Sequence, residues 1–132
     1  MIHIPVRIWH IVRMKSFFPI ALVVLAAPAL ADAPIVVDAT AHRQNATWTI
    51  EVTIRHPDTG WDHFASGWEV IAPDGTLLGY RELTHPHVDE QPFTRSLSGL
   101  TLPPGVDHVF IRPRCTLDGW VSTPTRLDIS QN

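Results

Sequence analysis

Residues 47–55, TWTIEVTIR, alternate apolar and polar positions without a break. Trp48, Ile50, Val52 and Ile54 fall on one face, and Thr47, Thr49, Glu51, Thr53 and Arg55 on the other. A period of two with β-branched residues on both faces marks a half-buried strand. Weaker runs of the same kind occupy 35–42, 65–72, 76–83, 93–98, 106–112 and 120–129. Turn-forming clusters separate several of them: Arg43-Gln44-Asn45, Pro73-Asp74-Gly75 and Pro103-Pro104-Gly105. No window of a dozen residues carries a helical period. Seven short strands in about a hundred residues predict an all-β chain, an immunoglobulin- or fibronectin-III-like antiparallel sandwich. Trp48 and Ile50 are expected in its core.

The pattern changes before residue 32. Residues 14–31 read MKSFFPIALVVLAAPALA, a short basic start, an apolar run and an A-x-A ending at Ala29 and Ala31. That is the layout of a signal peptide, and the run is too short and too proline-interrupted for a stable bilayer span. Translation starts at Met1 or Met14. The expected organisation is a signal peptide over 1–31 and a single domain over 32–132, periplasmic or secreted, with no membrane anchor after processing. No cysteine follows the apolar run, which argues against lipid attachment.

Taking the leader away alters the charge. The whole chain carries 10 Lys+Arg and 13 Asp+Glu. Residues 32–132 keep 7 arginines, no lysine, no methionine and all 13 acids, a net charge of −6 with His neutral. Such a domain is a poor partner for nucleic acid, which demands a positive field. The chain's one cysteine, Cys115, excludes an intramolecular disulfide and any zinc site built mainly of thiolates. A buried thiol is the expected state. Phosphate-loop, HExxH and GxSxG motifs are absent from the sequence.

In an antiparallel sandwich the chain reverses at each connection, so connections alternate between the two ends. Segments 43–46, 73–75 and 99–105 fall at one end, and 55–64, 84–92 and 113–119 at the other. The second set reads RHPDTGWDHF, THPHVDEQP and PRCTLDG, and holds four of the six histidines of 32–132. One end should be polar, the other plain.

His85-Pro86-His87 is the sharpest feature of the polar end. Residues two apart in extended chain project to one side, roughly 6.5–7 Å apart, near enough to share a metal ion. The proline between them restricts the backbone. His56 and His63 can complete the shell from the neighbouring loop, with Asp58, Asp62 and Asp89 as secondary candidates. Imidazole and carboxylate suit Zn or Cu, whereas one Cys and no Met argue against a dedicated Cu(I) carrier. The competing expectation is that these histidines order the loops through hydrogen bonds, leaving an envelope protein–protein or assembly surface with Trp61 or Phe64 as anchor. A small hydrolase using Cys115 with a loop histidine, or Asp89 with Glu90, is a third reading, and it lacks a supporting motif.

Several neighbours have plainer expectations. His56-Pro57-Asp58-Thr59-Gly60 suits a turn with Asp58 or Thr59 bonded to nearby backbone. Trp61 and Trp120 should plug the end of the core, the alternative being an aromatic platform. Arg95 should pair with Glu90 or Asp89, and Gln91 should bond a loop carbonyl. Asn45 is expected as a hairpin turn residue. Two stretches, HPDTGWDHFASGWEV (56–70) and GYRELTHPHVDEQPFTRSLSGL (79–100), resemble a family of small exported bacterial proteins with no assigned activity. The resemblance implies that these loops form one unit and transfers no catalytic residue.

Overall fold

The computed structural model describes residues 2–5, 14–16, 18–24 and 32–131. Most of the expected leader lies outside these residues, and its described parts carry no helix or strand. No helix among the described residues is long and apolar enough to cross a membrane.

The chain is all-β, with eight strands: β1 (Ile35–Gln44), β2 (Thr47–Arg55), β3 (Ala65–Ile71), β4 (Leu77–Glu82), β5 (Phe93–Leu100), β6 (His108–Cys115), β7 (Gly119–Trp120) and β8 (Thr125–Asp128). They form two antiparallel sheets. One has the order β1-β2-β5; the other has β4-β3-β6-β7, with β8 also paired to β6. Alternation puts one face of each sheet on a shared core. Trp48, Ile50, Val52 and Ile54 of β2 meet Trp68 and Val70 of β3 and Val109 and Ile111 of β6. Trp48 and Ile50 are buried, as their alternation required.

Where the strands depart from the sequence reading, a particular residue explains it. β5 runs on to Leu100 because an extra residue is absorbed opposite β2: Trp48 faces Leu100 while Ile50 faces Leu97. Gly99, at φ 74°, supplies the left-handed backbone that such a bulge needs. β6 continues past Pro113, although proline lacks the N–H that a central strand uses. Pro113 sits where β6 changes partners, between the β8 pairing of His108–Ile111 and the β7 pairing of Arg114 and Cys115. The run 120–129, read as one strand, is two: β7 ends at Trp120, Pro124 follows, and β8 begins at Thr125. Asn45 turns the β1–β2 hairpin at φ 58°. Gly79 lets β4 close against the opposite sheet, since a Cβ there would run into Leu97 and Leu100 of β5.

Strand alternation also carries the site. His56 follows β2 on the parity of Ile50, Val52 and Ile54, and Cys115 ends β6 on that of Val109, Ile111 and Pro113. Both side chains therefore point inward at the same end of the core, and both are fully buried.

Candidate metal centre at the loop end

Three connections meet at this end: 56–64 between β2 and β3, 83–92 between β4 and β5, and 116–118 between β6 and β7. Side chains tie them together. Thr116 fixes the first to the third: its Oγ1 donates to Asp62 O at 3.2 Å and accepts from Phe64 N at 3.1 Å. Its own N–H donates to Phe64 O at 3.0 Å. His63 lies between the two residues so held, and Cys115 directly precedes the residue that holds them. Gln91 fixes the first loop to the second, accepting from His56 N at 3.0 Å and donating to His87 O at 2.9 Å.

Asp58 is the centre of the network. Its side chain is fully buried. Oδ1 accepts the N–H of Ala65 at 2.9 Å and lies 2.5 Å from His56 Nδ1; Oδ2 accepts the N–H of His87 at 2.8 Å. A carboxylate oxygen accepts, so Nδ1 is the donor of that pair and Nε2 is turned away from it. That nitrogen faces His63 Nε2 at 3.1 Å. The two rings stand nearly perpendicular, at 87° with centroids 4.6 Å apart.

Cys115 completes the group. One ligand atom each from His56, His63 and Cys115 lies within 4.8 Å of the other two. The Cys115 sulfur accepts the backbone N–H of Asp118 at 3.3 Å. Two imidazole nitrogens on one ion, each at about 2.0–2.1 Å, stand about 3.3–3.6 Å apart at tetrahedral to trigonal angles. The His56–His63 separation is close to that. A carboxylate behind a ligating histidine is the usual way to fix its tautomer and raise its basicity, and Asp58 stands behind His56 in that position.

His85 and His87 lie on the other side of Asp58 and are not members of this group. Arginine can only donate, so Arg95 Nη2, 2.9 Å away, occupies His87 Nε2, while the buried His87 Nδ1 has no hydrogen-bond partner. His87 is buried, stacked on Phe93 with centroids 3.9 Å apart and an 8° interplanar angle. Burial pushes its pKa below the ordinary histidine value, and the charges of Arg95 and His85 push the same way. It is a neutral ring holding the second loop. His85 is exposed, its ring 4.5 Å from that of His87. Asp62 and Asp89 are exposed.

The other local expectations divide. Gln91 does bond a loop carbonyl, whereas Arg95 turns to His87 rather than to Glu90 or Asp89. Trp61 is 68% exposed and packs edge-on against Phe64, so it does not plug the core. Trp120 lies at 36% exposure on the outside of the larger sheet, beneath Arg112 and Arg114, whose guanidinium carbons are 5.2 and 5.3 Å from its ring centre. The place of Cys115 in the site was readable from strand parity. That signal was masked by Pro113, which ended the apparent strand early.

No protein-family model matches the chain. A protein of Halomicrobium mukohataei described as "Putative lipoprotein" is 43% identical over 61 residues, which is 46% of this chain and 29% of that protein. The chain thus matches less than a third of its relative's length. Among solved structures, the hypothetical protein PH1083 from Pyrococcus horikoshii OT3 superposes with a TM-score of 0.49 at 16% identity, covering 75% of this chain and 88% of that one. The chain is therefore similar to part of a protein described as a lipoprotein.

Proposed function

We propose that this protein is an exported binding domain of immunoglobulin-like topology that holds one transition-metal ion at its loop end. The topology is supported by the strand orders β1-β2-β5 and β4-β3-β6-β7, in which β2 and β5 pair in one sheet and β3 and β6 in the other. Export is supported by the leader-like segment 14–31 and by the lipoprotein description of the Halomicrobium mukohataei relative. The metal reading rests on one observation: Nε2 of a carboxylate-backed His56 lies 3.1 Å from His63 Nε2, beside the buried Cys115 thiol. His56 and His63 are the ligands kept from the four-histidine set, and Cys115 replaces His85 and His87.

The test is direct. The processed protein, recovered from the cell envelope without a polyhistidine tag, is analysed for Zn and Cu and then titrated with each. About one equivalent per chain and a rise in Tm on loading are expected. The absence of both bound metal and any thermal shift, with zinc and with copper, refutes the reading.

A second reading has its own observation. Trp61 stands 68% exposed on loops that are already ordered by hydrogen bonds, as an anchor of an envelope-protein surface would. Trp61→Ala would then abolish capture of a specific envelope partner while His63→Ala would not.

A further inference from the structure

Independently of the metal reading, we infer that the outer face of the larger sheet carries a binding groove for a neutral saccharide, with Trp61 as its stacking platform. The groove has a volume of about 440 Å³, the size of a small-ligand site, and lies between the 56–64 loop and strands β3, β4 and β6. None of His56, His63 and Cys115 lines it.

Strand register builds the groove. Gly67 of β3 pairs with Glu82 on β4 and with Arg114 on β6, so a carboxylate and a guanidinium flank a residue that has no side chain. Two strand spacings set their backbones roughly 9.5 Å apart. The phenol of Tyr80 covers the gap as a floor: a Cβ on Gly67 would run into its ring, and its hydroxyl donates to Ser66 O at 3.3 Å. Trp61 and Phe64 form the wall, in edge-on contact with ring centres 5.6 Å apart. Thr116 bonds both backbone polar groups of Phe64, and His63 N donates to Gly60 O at 3.2 Å to close the turn that carries Trp61. The Arg114 guanidinium is held by stacking on Trp120. A site fixed before its ligand arrives loses little entropy on binding.

The chemistry left unused in the groove selects the ligand. Among the described residues neither Glu82 nor Arg114 forms an ion pair, and Ser66 Oγ and Arg114 Nε have no hydrogen-bond partner. One acid opposite one base leaves the groove without net charge, and residues 32–132 are acidic as a whole, which disfavours an anion. A pyranose has an apolar C–H face and a rim of hydroxyls that both donate and accept. The C–H face suits the negative π-face of Trp61, which is 68% exposed, while Glu82 accepts from hydroxyls and Arg114 donates to them. A protein partner fits less well, because the centres of protein interfaces are depleted in glutamate and serine.

The processed protein is titrated with cello-, malto-, xylo-, manno- and chito-oligosaccharides, and with polygalacturonate as the anionic control, by calorimetry and tryptophan fluorescence. Saturable binding of at least one neutral oligosaccharide, and none of polygalacturonate, is expected. Trp61→Ala should weaken that binding at least about tenfold and Glu82→Gln should weaken it less. Both variants should melt close to the parent, because both positions are exposed. Binding that survives Trp61→Ala overturns the inference, as does binding that polygalacturonate shares. Failure of every neutral oligosaccharide to bind overturns it too, and a Trp61-dependent envelope protein captured in their place would assign the groove to a protein partner instead.

Discussion

The two ends of the paired sheets are held in different ways. At the plain end the turns at 72–76 and 103–106 close on themselves, and the second is also bonded to the C-terminal segment through Ile129 and Gln131. Asp74 accepts the N–H of Thr76 at 2.9 Å, Gly75 donates to Ala72 O at 2.9 Å, and Val106 donates to Pro103 O at 3.2 Å. Asp74 is exposed, and the N–H of Thr76 holds its pKa below the usual carboxylate value. At the polar end a buried carboxylate, Asp58, bonds groups from separate segments, and loops that share no strand are cross-linked by Gln91 and Thr116. Local turns need no buried polar atoms to hold them. A network of buried polar atoms fixes the position of each side chain it bonds and is costly where a member goes unpaired, as His87 Nδ1 does here. The difference marks where position matters.

Removing Asp58 should break this contrast most. Asp58→Ala strands the N–H groups of Ala65 and His87 and the Nδ1–H of His56, all buried, and should cost about 3–5 kcal/mol in denaturant titration. Asp74→Ala, the matching change at the other end, should melt with the parent. Equal effects would erase the distinction between the ends.

Trp48→Ala should rank close behind, at about 3–5 kcal/mol, because it empties a core site that both ends share. It should leave the metal affinity of the folded protein unchanged. Loss of metal binding in a still-folded variant would mean that the site depends on the core rather than on its own cross-links.

The third effect depends on pH. The folded pKa of His87 is lowered from an ordinary value of 6.5, so the unfolded chain binds the proton more readily. The stability this contributes is complete above pH 6.5 and is lost as pH falls through the lower folded value. The Tm should therefore drop on acidification from neutral pH, and His87→Phe should drop less steeply. Parallel curves would remove the neutral, Arg95-bonded ring from the account. Smallest of all, Trp61→Ala should shift the Tm by less than a destabilising core change, within about 0.5 kcal/mol, because the ring is exposed.

Much of this was readable from the chain, and the failures have identifiable causes. The alternation of 47–55 marked β2 residue for residue. Strand parity marked the three loops that the cross-links now join. Spacing alone overvalued His85-Pro86-His87, because it registers that two imidazoles are near each other and nothing of Arg95 reaching in from β5 to take one of them. Asp58 looked like a turn residue, since its burial follows from loops that meet only in three dimensions. Prolines misled in both directions: Pro113 hid the end of β6, where alternation would have aimed Cys115 inward, and Pro124 split a run that read as one strand. Trp61 was assigned to the core on size, but the turn closed by the Gly60–His63 bridge carries it outward.

The most direct measurement of the central claim is X-ray absorption at the zinc edge of the zinc-loaded, untagged protein. The account predicts two nitrogen neighbours at about 2.0–2.1 Å and one sulfur at about 2.3 Å, the sulfur vanishing in Cys115→Ser. A shell of nitrogen and oxygen alone, unchanged by that substitution, would contradict it.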